Sequence, residues 1–289
     1  MAVMFCDSNC ELWYDKAKAL DLKVIKMPYT LAGKEEYYDL GENTDFKNFY
    51  SEMRSGKMPS TSALNAENYK EYFEPYFKAG EDILYVSFSD QLSATFSFMD
   101  MAVEELKAKY PNAKFTRFDT KGISMTAGIQ VYLAKKYMDS GKTADETVEY
   151  LKEITKHIFA EFVVDDLKYL KKGGRVSGLQ AAIGTLLNFK PILKVTEEGK
   201  LVNTTRVNGR VKALTHLATQ IKEKGQDVEK YPIIIVHADC EEEALKLKDK
   251  IKTELGADNL DIWIQYVGPV IGAHCGPGTI ALIFYAVSR

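Results

Sequence analysis

Short β-rich runs alternate with amphipathic helical stretches through the first half of this chain. That alternation limits the fold more than any other feature. Residues 2–5, 23–31, 83–87 and 114–119 read as strands. Residues 11–20, 45–55, 65–78, 93–110, 123–140 and 144–156 carry the 3.6-residue periodicity of helices. Thr44 or Asp45 and then Asn65 are suited to N-cap two of these helices, Pro111 ends a third, and Gly141 takes the C′ position of a fourth. Strands separated by helices pair in parallel, with the helices covering the sheet. A parallel sheet with helices on both faces is therefore expected.

Near residue 157 the pattern changes. A strand at 158–164 precedes short helices at 167–172 and 179–187. Runs at 191–196 and 200–206 flank Glu197-Glu198-Gly199, a hairpin spacing that implies antiparallel pairing. Helix 211–224, strand 233–238, helix 241–255 and strands 261–267 and 279–285 complete the chain. The expectation is two α/β domains: 1–157 with a mainly parallel sheet and 158–289 with a mixed one.

Composition narrows the function. Basic side chains number 38 against 41 acidic ones, and the net charge of −3 gives no electrostatic case for nucleic acid. The apolar runs at 233–236 and 280–287 fall far short of the roughly 18 residues that a membrane-spanning helix needs. Residues 1–5 lack the basic leader of a signal peptide. Four cysteines in 289 residues are no disulfide framework, so reduced thiols and a cytoplasmic location are expected. The 17 Tyr and 14 Phe stand beside only 2 Trp, a surplus of rings whose destination composition does not give.

Several motif look-alikes fail on context. Gly276-x-Gly278-x-x-Ala281 fits a loose dinucleotide fingerprint but precedes a strand, not a helix. Gly141-Lys142-Thr143 lacks the glycine that a P-loop needs at position 136. Cys6-x-x-x-Cys10 has no second pair to complete a metal site. Gly122-Ile123-Ser124-Met125-Thr126 lacks the second glycine of a nucleophile elbow. Neither a cofactor nor a metal is implied.

What holds together is a set of polar clusters at strand ends: Asp7-Ser8, Pro59-Ser60-Thr61-Ser62, Ser87 with Ser89, Ser93-Ala94-Thr95, and Asp119-Thr120 with Ser124. The carboxyl ends of strands line the ligand crevice of an open α/β sheet. Hydroxyls at helix N-termini suit an anion, although Ser and Thr are also ordinary caps. Two glycine-rich segments follow, Leu170-Lys171-Lys172-Gly173-Gly174-Arg175 and residues 268–278. The density of glycine and proline in the second implies a tightly turned, fixed loop that holds His274 between two strands. Arg175 offers a planar fork suited to carboxylate or phosphate, or else is a solvated charge beside Lys171 and Lys172.

These same segments resemble the DegV family, bacterial fatty-acid-binding proteins that serve as the FakB-type subunit of fatty acid kinase. The likeness runs in the family's order through Asp7-Ser8, Thr61-Ser62, Ser87 to Thr95, Asp119-Thr120, Tyr169 to Val176, Lys190-Pro191-Ile192-Leu193 and 267–278, and so covers nearly the whole chain. Gly173-Gly174-Arg175 and Ile271-Gly272-Ala273-His274 with Gly276-Pro277-Gly278 are its specific parts. The chain departs from the family at Ala94, where glycine is usual, and at Ala63-Leu64, where Gln-Pro is frequent. Ala94 would narrow the space beside a head group.

The resemblance implies the two-domain DegV-like (EDD) α/β fold, with a long-chain fatty acid buried between the domains. Thr61, Ser62 and Ser93 would hold its carboxylate, with Arg175 and His274 close by. A separate ATP-binding fatty acid kinase subunit of the FakA type would phosphorylate that carboxylate, and the acyl phosphate would feed phospholipid synthesis. The chain itself would be a carrier and not an enzyme. Arg175, Arg206, Arg210 and His274 are the candidates for coupling to the kinase, and the family's arginine ahead of a Lys-Ala-Leu helix start matches either Arg206 or Arg210. Arg175, or His274 when protonated, would keep the carboxylate anionic. Part of the aromatic surplus would line the acyl tunnel, although two α/β cores need such rings in any case. The competing reading is a stand-alone lipid hydrolase or acyltransferase with Ser93, His274 and Asp7 as a triad.

Overall fold

The computed structural model describes residues 2–175 and 189–289. The helix expected at 179–187 and Val176 of the resemblance lie outside the described residues. The first elements are β1 (Val3–Asp7), α1 (Tyr14–Ala19), β2 (Lys23–Ile25), β3 (Pro28–Leu31), β4 (Lys34–Tyr37), α2 (Phe46–Arg54) and β5 (Ser60–Thr61). Then come α3 (Ala66–Ala79), β6 (Ile83–Ser87), α4 (Thr95–Lys109), β7 (Phe115–Asp119), α5 (Met125–Asp139) and α6 (Ala144–Thr155). The remainder comprises β8 (Ile158–Val163), α7 (Lys168–Lys172), β9 (Phe189–Val195), β10 (Leu201–Asn208), α8 (Arg210–Lys224) and β11 (Ile233–His237). It closes with α9 (Glu241–Leu255), β12 (Ile262–Tyr266), α10 (Pro269–Cys275) and β13 (Ile280–Tyr285). Contacts divide the chain into two units, Met1–Thr44 with Thr61–Thr155 and Asp45–Ser60 with Lys156–Arg289.

In the first unit β2-β1-β6-β7 form a sheet that is parallel throughout. Every residue of β6 is buried, as expected of a strand covered on both faces. Packed helix pairs α3–α4 and α5–α6 belong to the same unit. Asn65 caps α3 in a reciprocal capping box with Asn68, as its position in the sequence suggests. Many of the aromatic rings collect in this core. The Phe73 ring lies 5.2 Å from Phe5, 5.1 Å from Phe115 and 6.1 Å from Tyr85, and Phe88 lies 4.9 Å from Phe96. Edge-to-face and tilted pairs of this kind stabilise beyond their buried area.

Residues 23–31, expected as one strand, form two. β2 joins the parallel sheet, whereas β3 turns back into an antiparallel hairpin with β4. Ala32 and Gly33 both adopt left-handed backbone, at φ 52° and 81°, which a tight hairpin turn requires. An alanine at the first position hides that turn in the sequence.

The second unit is built on a sheet of order β10-β9-β8-β13-β11-β12. The β11–β12 pair is parallel and the other pairs are antiparallel, including the expected β9–β10 hairpin. Its core gathers Phe159, Leu217, Ile221, Ile235, Leu282 and Phe284. The sequence reading put all of residues 1–157 in the first part, whereas Asp45–Ser60 packs with this second unit. The cause lies in α2. Its buried Tyr50 donates to the Val267 carbonyl at 2.7 Å, and Phe46 stacks on Tyr266 at 4.8 Å. Lys47, at 2.7 Å, and Arg54 both pair with Asp239. Gly272 makes room, since a Cβ there would stand 2.6 Å from the Tyr50 hydroxyl.

The segment 268–278, expected as a tightly turned, fixed loop, contains helix α10. Pro269 occupies its first turn, where a missing N–H costs nothing and a preset φ helps. Gly276, at φ 80°, ends it.

Candidate functional site

The parallel sheet of the first unit sets the carboxyl ends of β1, β6 and β7 side by side, and Asp7-Ser8, Ser87 with Ser89, Ser93-Ala94-Thr95 and Asp119-Thr120 with Ser124 follow those ends, whereas Ser60 and Thr61 form β5, which belongs to a separate sheet with β3 and β4. Most of their hydroxyls turn inward. Ser8 Oγ accepts from the Met27 N–H at 2.9 Å, Thr120 Oγ1 donates to the Ser87 carbonyl at 2.9 Å, and Ser124 donates to the Glu11 carboxylate. These bonds seal the strand ends.

Ser93 differs. It follows a turn at Asp90–Leu92 and precedes α4, half-buried, with extended backbone at φ −154°. Its Oγ accepts from the Thr95 N–H at 3.3 Å, which fixes the side chain at the helix N-terminus. Its own O–H has no acceptor among the described residues and remains able to donate. Buried Thr95 bonds Tyr69 Oη at 2.8 Å and donates to the Leu64 carbonyl at 3.5 Å. That contact draws the segment after half-buried Thr61 and exposed Ser62 to the start of α4. Ala94 sits at φ −81° with its side chain exposed, so alanine in place of glycine costs no backbone strain.

Asp7 does other work than a triad acid would. Its Oδ1 accepts from the Asn9 N–H at 3.0 Å, and its Oδ2 accepts from Tyr85 O–H at 2.9 Å and the Phe88 N–H at 3.3 Å. Complete burial pushes its carboxyl up to about 7 against these hydrogen bonds. Both oxygens are engaged at home, which weighs against the hydrolase reading.

In the second unit the two glycine-rich segments, distant in sequence, interlock where α7 meets α10. A Cβ on Gly173 would stand 3.1 Å from Cε1 of His274 and overlap Nδ1. One on Gly276 would stand 2.6 Å from the Tyr169 ring, and one on Gly278 would stand 2.8 Å from the Asp165 carboxyl carbon. These glycines therefore serve close approach. Arg175 donates to the Gly173 carbonyl. Burial, with the Arg175 charge beside it, pushes His274 down to about 4. His274 is thus neutral at pH 7, and the expectation that its protonated form supplies a cation is corrected. Arg175 is the charged member of this pair: burial lowers its guanidinium from the ordinary value, but that value is high enough to keep it charged.

The two remaining arginines part company. Arg210 opens α8 and is clamped, with bonds of 2.7 to 3.1 Å to the Glu243 carboxylate and one of 2.6 Å to the Gly278 carbonyl. Arg206 lies exposed on β10. Among the described residues no three His, Cys, Asp or Glu side chains converge on a metal position, and all four cysteines are free thiols. No helix among them is long and apolar enough to cross a membrane.

Sequence reasoning missed a charge network next to Ser93, formed by Asp90, Arg117, Asp119 and Lys121. A signal was present: the opposite charges Arg117 and Asp119 share one face of β7, and Lys121 follows two residues later.

A family model described as uncharacterised protein, DegV family, matches residues 2–287. A DegV domain-containing protein of Clostridium perfringens is 37% identical over 282 residues, covering 98% of this chain and 96% of the relative. A fatty acid binding DegV family protein from Streptococcus agalactiae superposes with TM-score 0.86 at 27% identity, covering 99% of each chain. A DegV lipid binding protein from Thermotoga maritima superposes with TM-score 0.83 at 26% identity, covering 100% of each.

Proposed function

The chain belongs to the DegV family, and on that premise we propose that it binds a long-chain fatty acid and presents the carboxylate to a partner kinase for acyl-phosphate formation. The observation that carries the reading is Ser93: a hydroxyl fixed at a helix N-terminus, with its proton free to donate to an anion. Thr61 and Ser62 join it as carboxylate ligands. Arg175 and His274 act on the same carboxylate and, with Arg206 and Arg210, couple it to the kinase. The fatty acid binding of the Streptococcus agalactiae relative and the lipid binding of the Thermotoga maritima relative support this assignment.

The energetics favour it. A 16-carbon chain buries about 15 methylene or methyl groups at roughly 0.8 kcal/mol each, of order 12 kcal/mol. Desolvating the carboxylate costs several kcal/mol. Hydrogen bonds from the hydroxyls offset part of that cost, so the tail dominates the affinity. The carboxylate contacts then govern orientation and reactivity. On this reading the protein acts in the cytoplasm as a carrier for phospholipid synthesis.

The test is a coupled assay. Palmitate-loaded protein, a FakA-type kinase subunit and ATP are mixed, and acyl phosphate is trapped with hydroxylamine. Product that needs both proteins, with no hydrolysis of a nitrophenyl ester by this chain alone, is expected. Ester turnover that vanishes in Ser93→Ala would replace the carrier reading with the hydrolase one.

A further inference from the structure

The network beside Ser93 is more elaborate than a surface ion pair. Arg117 donates to Asp90 at 2.8 Å and to Asp119 at 3.4 Å, and Lys121 reaches Asp119 at 2.8 Å and Asp90 at 3.5 Å. The Asp90 N–H donates to Asp119 at 3.3 Å, and the Lys121 N–H to Asp119 at 2.7 Å. The Arg117 and Asp119 side chains are only 18% and 11% exposed. Burial works against a charged Asp90, yet its side-chain hydrogen bonds with Gln91, Asp119 and Arg117, together with the Lys121 charge, hold it down at about 2.

The loops on either side are laced together as well. Ser89 N–H donates to the Gly122 carbonyl at 2.8 Å, and Thr120 N–H to the Ser87 carbonyl at 3.0 Å. Gly122 is required there, because a Cβ would stand 2.9 Å from the Ala127 nitrogen. Arg117 also reaches past the loop. Its guanidinium lies 4.2 Å from the centroid of the Phe96 ring in the first turn of α4. Arg117 therefore grips the chain three residues before Ser93, at Asp90, and three residues after it, at Phe96.

We infer that Arg117 is the positioning residue for the Ser93 hydroxyl, with Asp119 and Lys121 as its supports. The inference rests on the fatty-acid reading of Ser93. A guanidinium suits the task because its planar fork pairs with a carboxylate while its face lies on a ring, two contacts that an ammonium cannot make together. Held at both ends, Ser93 meets an incoming carboxylate without paying to order its loop, which is where preorganised sites gain affinity and selectivity.

The test is a double-mutant cycle on delipidated protein, with palmitate and its methyl ester as probes. Wild type is expected to prefer the acid. Arg117→Gln is expected to lower palmitate affinity about tenfold, equivalent to about 1.4 kcal/mol, and to leave ester affinity unchanged. In a Ser93→Ala background the same substitution is expected to change palmitate affinity less than twofold, because there is no hydroxyl left to misplace. Arg117→Lys is expected to restore less than half of the loss. Asp90→Asn serves as a second perturbation should Arg117→Gln fold poorly, with the same dependence on Ser93. Equal losses in both backgrounds, or equal losses for acid and ester, would mean general loosening and overturn the positioning role while leaving lipid binding intact. A wild type that binds neither probe would overturn both readings.

Discussion

Asp7 offers a quantitative test of how the site end of the first unit is built. Its carboxyl is fully buried and stands at about 7, against 3.8 for an ordinary aspartate. A carboxyl raised on folding contributes stability below its unfolded value and loses it as pH climbs through the folded one. With the carboxyl moved from 3.8 to about 7, at roughly 1.36 kcal/mol per tenfold change in proton affinity, ionising Asp7 costs the fold of order 4 kcal/mol in full. Between pH 5 and pH 8.5 the part still to be lost is about 2 to 3 kcal/mol. Asp7→Asn removes the titration, so wild type should lose stability across that window by this much more than the variant. Trp13 lies in the first unit and Trp263 in the second, and they are the only tryptophans. Urea unfolding followed by Trp13 fluorescence in a Trp263→Phe background therefore reads the relevant unit. Parallel pH slopes in wild type and Asp7→Asn would refute the argument, and with it the claim that burial outweighs the hydrogen bonds from Tyr85, Phe88 and Asn9.

Further outcomes are expected in the second unit. Gly173→Ala forces a methyl group into the His274 ring and should lower the stability of the second unit by about 1 to 3 kcal/mol, read by Trp263 fluorescence in urea. His274 should titrate near 4 by NMR of its imidazole, and Arg175→Gln should raise that value by removing the neighbouring charge. Since an ordinary histidine stands at 6.5, this lowered value costs stability as pH falls from 6.5 through 4. Arg210→Lys gives up the fork on Glu243 and the bond to Gly278 and should destabilise the second unit by about 1 to 3 kcal/mol in the same urea assay. Arg206→Lys, at an exposed position, should stay within about 0.5 kcal/mol.

Local signals carried much of this fold. Buried strand β6, the Asn65 cap and the β9–β10 hairpin were legible because each rests on neighbouring residues alone. The transfer of Asp45–Ser60 to the second unit was not legible, since it depends on Tyr50 reaching Val267 and on Lys47 and Arg54 reaching Asp239 far along the chain. Helix α10 was hidden by its glycines, which look like loop residues but act as contact surfaces for Tyr50 and Tyr169. Among the candidate residues, Ser93, Arg175 and His274 stood out by residue type and company. What their chemistry depends on did not: the neutrality of His274 comes from burial and from Arg175, and the placement of Ser93 from Arg117 on another strand.

The central claim, that this chain encloses a fatty acid, is tested most directly by native mass spectrometry. Purified protein should show a mass excess of a single fatty acid per chain, and delipidated protein should take up one equivalent of added palmitate. Protein that carries no lipid and takes up none would contradict the account.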